Sequence, residues 1–297
     1  MVRRLNNFLS FLLPHQCIPS RRSFRVHGLI AAVVCALSTN AVAAPKAVLW
    51  ERWAQHDNSA TKRIDHSPWQ AFLQRYVKAD GAGVNRVRYG RVSAKDRMAL
   101  DEYVERLSAT PISRHSRAEQ LPFWINLYNA LTIKVVLEHY PVASIKDIDI
   151  SPGLFASGPW GKKLAEVEGT PVSLDDIEHR ILRPIWKDPR IHYAVNCASI
   201  GCPNLKVRAF DASNTTSLLD EAAVAYVNHP RGAEVDGGRL YVSSIYKWFV
   251  DDFGGTDAGV IRHLMTYAKP PLKDQLNGVQ SIHDDRYDWR LNDGEAK

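Results

Sequence analysis

Two cysteines, Cys197 and Cys202, stand five positions apart in the stretch IHYAVNCASIGCP, which begins at Ile191. Thiols placed this way can bridge to each other, share a metal, or supply a nucleophile beside a spare. The C-x4-C spacing is not the C-x2-C of a zinc knuckle, and no further pair of Cys or His ligands follows nearby, so no metal is expected. A disulfide would close a very short ring and stabilise less than a long-loop bridge, which leaves local shape or redox control as its purpose. A nucleophile would need a positive charge, an imidazole or helix-N-terminal amides to bring its pKa down from ~8.5. The residues alone leave disulfide and nucleophile both open.

Candidate partners come from two other stretches. In SLDDIEHRILRP, from Ser173, a helical wheel with Leu174 at zero puts Glu178 at about 40°, inside the apolar stripe of Ile177, Ile181, Leu182 and Ile185. A carboxylate aimed there either meets a cation or donor or has its pKa raised for use. His179 falls near ~140°, off the stripe, where it could reach a flanking cleft. In the buried-looking helix around LPFWINLYNALTI, Asn126 and Asn129 share a face. Their amides must find hydrogen bonds, by clamping a neighbouring loop through its backbone or by shaping a polar pocket.

Stepping outward, RIHYAVNC alternates apolar and polar residues and reads as a strand running into the cysteine loop. Its period of two places Cys197 with Ile191, Tyr193 and Val195, and His192 with Ala194 and Asn196 on the other face. His192 is then on the wrong side for Cys197, and His179 becomes the better candidate base. Helices are expected at 67–81, from a Ser67 cap and Pro68 to a Gly81 stop, and at 93–107, with Ser93 and Asp96 set as a capping box. Another is expected at 121–137, apolar on nearly every side and therefore central. A Gly/Pro loop spans 151–161, and a short extended segment follows near 164–167. The helix at 173–184 ends at Pro184, a helix fits 218–228, a strand 239–242, and helices 245–253 and 257–268. The class is α+β, a helix-rich single domain with a small sheet.

The first 43 residues are expected to be an export signal. Arg21, Arg22 and Arg25 precede the apolar run GLIAAVVCAL, and Ala41-Val42-Ala43 forms a small-x-small cleavage site. The run is too short to span a bilayer, which takes ~20 apolar residues. SRRSFRV, from Ser20, resembles the twin-arginine export motif but departs from it at Arg25 and Val26, so that route and the general secretory one both stand. The segment carries five arginines and no acidic residue, so its removal lowers the formal charge from +6 to +1. The basicity thus belongs to the signal, and no nucleic-acid partner is expected. The rest shows no internal repeat, no second apolar span, no phosphate-binding glycine loop and no dinucleotide fingerprint.

Five blocks carry a family resemblance: LPFWINLYNALTI from Leu121, LDDIEHRILRP from Leu174, IHYAVNCASIGCPNL from Ile191, SSIYKWFVDDFG from Ser243 and YDWRLN from Tyr287. In order and spacing they resemble the bacterial exported branch of domain-of-unknown-function family 547. The family-like domain then covers 119–297, and 44–118 is a helical N-terminal region. The resemblance implies a fold similar to the papain-like and transglutaminase-like cysteine hydrolases. It places the family's Glu-His pair on Glu178 and His179 and its Cys-x-Ser element on Cys197 and Ser199. It also implies that Cys202 is dispensable, which favours Cys197 as a nucleophile over a disulfide.

The expected activity is that of an exported, periplasmic or secreted, cysteine-dependent hydrolase or acyl transferase acting on an amide or ester of a small peptide or cell-envelope substrate. Cys197 attacks, His179 is the base and Glu178 supports it. Asn126, Asn129 and Ser199 shape the site, amides of CASIG offer an oxyanion site, and no cofactor is required. Adjacent helical residues do not face each other, so Glu178 can orient His179 only if the helix is distorted there. The alternative is a non-catalytic cell-envelope binding or scaffold protein with a structural Cys197–Cys202 disulfide.

Overall fold

A computed structural model describes residues 45–153 and 157–295 of the chain. The expected export signal, residues 1–43, lies outside the described residues.

Helix α1 (Ser67–Tyr76) starts with Pro68 in its first turn and buries Trp69, Phe72, Leu73 and Tyr76. It ends before Gly81 because Val77 is already extended, paired with Val87 in the hairpin of β1 (Val77–Ala79) and β2 (Asn85–Val87). Gly81 and Gly83 serve the hairpin turn at positive φ, where a side chain is disfavoured. Helix α2 (Ala94–Ser108) begins as expected, with Ser93 Oγ accepting from the Asp96 amide at 3.1 Å.

Helix α2 packs on both α1 and α3 (Arg117–His139), and residues 122–133 of α3 are buried without exception. Burial of side chains such as Ile125, Leu127 and Leu131 contributes about 1.5–3 kcal/mol each. This helix is the axis of the larger core, which also takes in Leu174, Ile177, Ile181 and Leu182. The extended segment near 164–167 is β3 (Ala165–Val167), which forms a hairpin with β4 (Thr170–Val172).

After Ser173 the chain enters a helix over 174–186 whose middle, Asp176–Leu182, is π-helical, followed by α4 (Arg183–Trp186). Pro184 lies within that last turn; the stop is Lys187, left-handed at φ 52°. No strand follows. Pro189–Tyr193 is a 3-10 helix, with the Asp188 side chain accepting from the Arg190 amide at 2.9 Å. The expected alternation of faces fails because residues 191–196 are all buried, and the polar ones among them face partners inside the protein rather than water.

The second core gathers Tyr193, helix α5 (Thr215–Val227), and a sheet of β5 (Ala233–Asp236), β6 (Arg239–Ser243) and β7 (Ile282–Arg286). β6 is antiparallel to β5 and parallel to β7. Helix α6 (Ser244–Trp248), a 3-10 turn at Val250–Phe253, α7 (Asp257–Tyr267) and α8 (Leu272–Gln275) complete it. The architecture is α+β, helix-rich with small sheets. Among the described residues no helix is long and apolar enough to cross a membrane.

Candidate functional site

Cys197 and Cys202 lie in the loop that follows the 3-10 helix, and the C-terminal segment runs beside it. Leu291 bridges to Ser199, the Asn292 amide bonds the Ala198 carbonyl at 2.9 Å, and the amides of Ile200 and Gly201 each donate at 2.8 Å, to the carbonyls of Arg290 and Asp288. A Cβ added at Gly201 would fall 2.7 Å from the Asp288 nitrogen and 3.0 Å from the Tyr287 ring, so only glycine lets the two segments approach this closely. Ala198 is left-handed at φ 59°, which costs a non-glycine residue about 1–2 kcal/mol. The Asn196 side chain offsets part of this by accepting from the Ala198 amide at 2.9 Å.

Asn129 sets the start of the loop. Its Oδ1 accepts from the Asn196 amide at 2.8 Å and its Nδ2 donates to the Ala194 carbonyl at 2.9 Å. Asn126 holds both backbone groups of Phe210 in the same way. Of the two roles open to these amides, both take the backbone clamp, and only Asn129 adjoins the cysteine loop.

Cys197 is partly exposed, and three polar groups ring its sulfur. Cys202 Sγ lies at 2.9 Å, Tyr287 Oη at 3.0 Å and Ser199 Oγ at 3.2 Å, with Ser199 Oγ also donating to Tyr287 Oη at 2.8 Å. Burial pushes the thiol up, but hydrogen bonds from Cys202, from both the side chain and amide of Ser199, and from Tyr287 outweigh it and hold Cys197 below the ordinary thiol range. Cys202, 4% exposed, is driven the other way, by burial and then by the neighbouring sulfur. Tyr287 is raised well above the usual phenol range by burial and by both sulfurs, so it stays a hydrogen-bond donor.

Four of the five amides from Cys197 to Gly201 have a hydrogen-bond partner in this arrangement. Cys197 N donates to Cys202 Sγ at 3.0 Å, Ala198 N to Asn196, and Ile200 and Gly201 to the C-terminal segment, while the Ser199 amide favours the charged form of the Cys197 sulfur. Most of the expected oxyanion amides are therefore engaged in holding the loop.

The π-helical segment builds a second cluster. A π turn adds a residue to the helical repeat, so side chains that an α-helix would aim apart swing toward the same interior. Both Glu178 and His179 are buried as a result, where the helical wheel placed His179 off the apolar stripe. The carbonyls of His179 and Arg180 accept from the amides of Val48 and Trp50 at 3.0 and 2.9 Å.

Glu178 Oε1 lies 3.6 Å from His192 Nδ1, and His192 Nε2 lies 2.7 Å from Asp252 Oδ2, which also accepts from Arg183 Nε at 2.6 Å. Glu178 thus pairs with His192, its neighbour in space, not with His179, its neighbour in sequence. Phe249 stacks on the His192 ring at 4.3 Å. His179 Nδ1 accepts from Arg183 Nη1 at 3.1 Å, and its Nε2 faces Asp175 Oδ1 at 3.7 Å.

Burial would raise Glu178, but the imidazoles of His179 and His192 and the Arg183 guanidinium bring it to about 2. Asp252 is likewise held at about 2, with burial overcome by His192 and Arg183. For His192, burial favours the neutral ring, yet the hydrogen bond to Asp252 and the Glu178 carboxylate 3.6 Å away win and raise it. His179 goes down to about 4, chiefly through burial, and is neutral at pH 7. Asp175 is lifted to about 6 by burial, Glu178 and Asp176.

The structure therefore joins Cys197 with Ser199 and, through the loop, with Asn129. It joins Glu178 and His179 with His192, Arg183 and Asp252, and no imidazole is among the hydrogen-bond partners of the Cys197 sulfur. Tyr128 in α3 lies within electrostatic reach of both groups, its hydroxyl pKa raised by burial, then by Glu178 and the two sulfurs. Among the described residues no group of three or more His, Cys, Asp or Glu is arranged to hold a metal ion. Sequence reasoning missed Tyr287, Arg183 and Asp252. Their only signal was membership of the blocks YDWRLN, LDDIEHRILRP and SSIYKWFVDDFG.

Residues 112–227 match the family model described as Protein of unknown function, DUF547. The match takes in Asn126, Asn129, Glu178, His179, Cys197, Ser199 and Cys202; Asp252 and Tyr287 lie beyond it. No curated protein and no solved structure matches the chain.

Proposed function

We propose that the protein is an exported, cysteine-dependent hydrolase or acyl transferase, of papain-like or transglutaminase-like kind, in which Cys197 attacks the carbonyl carbon of an amide or ester in a peptide-like, cell-envelope substrate. The observation that carries this reading is the ring of donors on the Cys197 sulfur, which favours the thiolate before any substrate arrives. An S–C bond forms as the carbonyl π pair moves to oxygen. The C–N or C–O bond then breaks and the leaving group takes a proton. Water or an acceptor nucleophile next attacks the thioester and releases the Cys197 sulfur.

As the sulfur gives up its charge, the donors that held it are free to follow that charge to the oxyanion. Tyr287 Oη, itself accepting from Ser199 Oγ, is the hydroxyl nearest the sulfur and placed to do so. His179, neutral at pH 7, is the base for the second step, and Glu178 supports it through the His192–Asp252–Arg183 network rather than by direct contact.

The test uses the mature chain with chromogenic esters and peptide amides. Cys197→Ala should abolish turnover. Cys202→Ala, which loses one donor, should lower it no more than about tenfold at neutral pH. His179→Gln should slow turnover while leaving Cys197 alkylation at pH 6 intact. Turnover that survives Cys197→Ala would sink the proposal. A second reading, a non-catalytic envelope protein with the two cysteines bonded, draws support from four of the five loop amides being engaged. It predicts no turnover and no thiol before reduction.

A further inference from the structure

The second cysteine has no part in acyl transfer beyond one hydrogen bond, yet it is held against the first with unusual care. The Cys202 amide donates to the Ser199 carbonyl at 3.2 Å, closing a turn that starts from the left-handed Ala198. Both residues before Cys202 are fixed from outside the turn. Ile200 O accepts from Arg231 Nη1 at 3.0 Å, and Gly201 O accepts from Tyr226 Oη at 2.6 Å, in addition to their amide bonds to the C-terminal segment. The Cys202 backbone cannot shift away from Cys197 without breaking several of these contacts, and the Cys197 amide donates to the Cys202 sulfur at 3.0 Å. The two residues also differ in access, since Cys197 is partly exposed while Cys202 is buried. An incoming disulfide meets Cys197 first and Cys202 only from within.

We infer that Cys197 and Cys202 form a working dithiol–disulfide pair that exchanges with low-molecular-weight disulfides, Cys197 attacking and Cys202 resolving. The inference rests on the nucleophilic role of Cys197 but not on acyl transfer. In the first step the Cys197 thiolate bonds to one sulfur of the small disulfide, and the other sulfur leaves as a thiolate. Cys202 then gives its proton to that thiolate, attacks the Cys197 sulfur and expels the second small group as a thiolate, which takes a proton from solvent. The small disulfide is reduced by two electrons to two thiols, and the protein pair is oxidised by the same two. The reverse sequence, driven by a small dithiol, restores both cysteines. While the pair is oxidised Cys197 cannot attack a carbonyl, so the exchange also governs the proposed acyl transfer.

The test treats the mature, fully reduced protein with glutathione disulfide at pH 7, quenches with an alkylating agent at intervals, and maps the cysteines by mass spectrometry. Wild type should pass to the intramolecular disulfide with little mixed disulfide standing. Cys202→Ser and Cys202→Ala should both stall with one glutathione on Cys197, accumulating at least tenfold more mixed disulfide than wild type. Cys197→Ser should take up none. A wild type that stalls as the Cys202 variants do, or glutathione found on Cys202, overturns the inference. Iodoacetamide labelling of the same samples separates the causes. Rapid alkylation of Cys197 without ring closure sinks the exchange alone, whereas slow alkylation sinks the exchange and the acyl-transfer reading together.

Discussion

Tyr287→Phe removes one oxygen, and its effect can be worked from the contacts around Cys197. Tyr287 Oη lies 3.0 Å from the sulfur, and a hydrogen bond to a charged group is worth about 1.5–3 kcal/mol. At 1.36 kcal/mol per tenfold, its loss cuts the thiolate fraction at a fixed pH below the inflection by about ten- to a hundredfold. Thiolate nucleophilicity rises with basicity along a slope of about 0.4–0.5, so the rate on the alkaline plateau should increase by about three- to tenfold. The assay is the pH dependence of iodoacetamide labelling at Cys197, with far-UV circular dichroism to check the fold. The inflection should move to higher pH, the rate at pH 6 should fall, and the plateau should rise. An unmoved inflection would refute the account of how this thiol is activated.

Asn129→Ala strands two buried backbone groups, the Asn196 amide and the Ala194 carbonyl, and should lower unfolding stability by about 2–5 kcal/mol in urea titration. Gly201→Ala should push Tyr287 and Asp288 off the loop, slowing Cys197 alkylation at pH 6 in the same direction as Tyr287→Phe. His192→Gln, which breaks the buried contact with Glu178 and Asp252, should cost about 3–5 kcal/mol near pH 6. Because His192 is raised in the fold, its contribution is full below about pH 6.5 and fades as pH climbs through the folded value. The stability gap between wild type and His192→Gln should therefore narrow from pH 6.5 upward. Glu178 and Asp252, held at about 2, act on the other limb. Their stabilisation is present above about pH 4.5 and is lost as pH falls toward 2, which acid denaturation of Glu178→Gln would register as a smaller slope.

The elements that follow from local pattern were legible in the sequence. The all-round apolar surface of α3, the Ser93 cap of α2 and the apolar spacing of α1 each translate directly into structure. What failed to show were features decided by long-range contact. The 191–197 stretch alternates like a strand, but His192 answers to Asp252 and Asn196 to Asn129, partners 60 and 67 positions away, so its polar residues mark no solvent face. The π turn at Asp176–Leu182 left one trace, a carboxylate and an imidazole that an α-helix cannot both bury on one face. The difficulty of making Glu178 orient His179 was real, and the chain resolves it by pairing Glu178 with His192. Tyr287 reaches Cys197 across 90 positions, and no periodicity reports such a contact.

The proposed nucleophilic role of Cys197, with its thiol pKa held down by its neighbours, is checked first by a brief iodoacetamide pulse at pH 6 on the reduced mature protein, followed by peptide mapping. Cys197 should carry the label and Cys202 almost none. Equal slow labelling of both cysteines, or preferential labelling of Cys202, would contradict it.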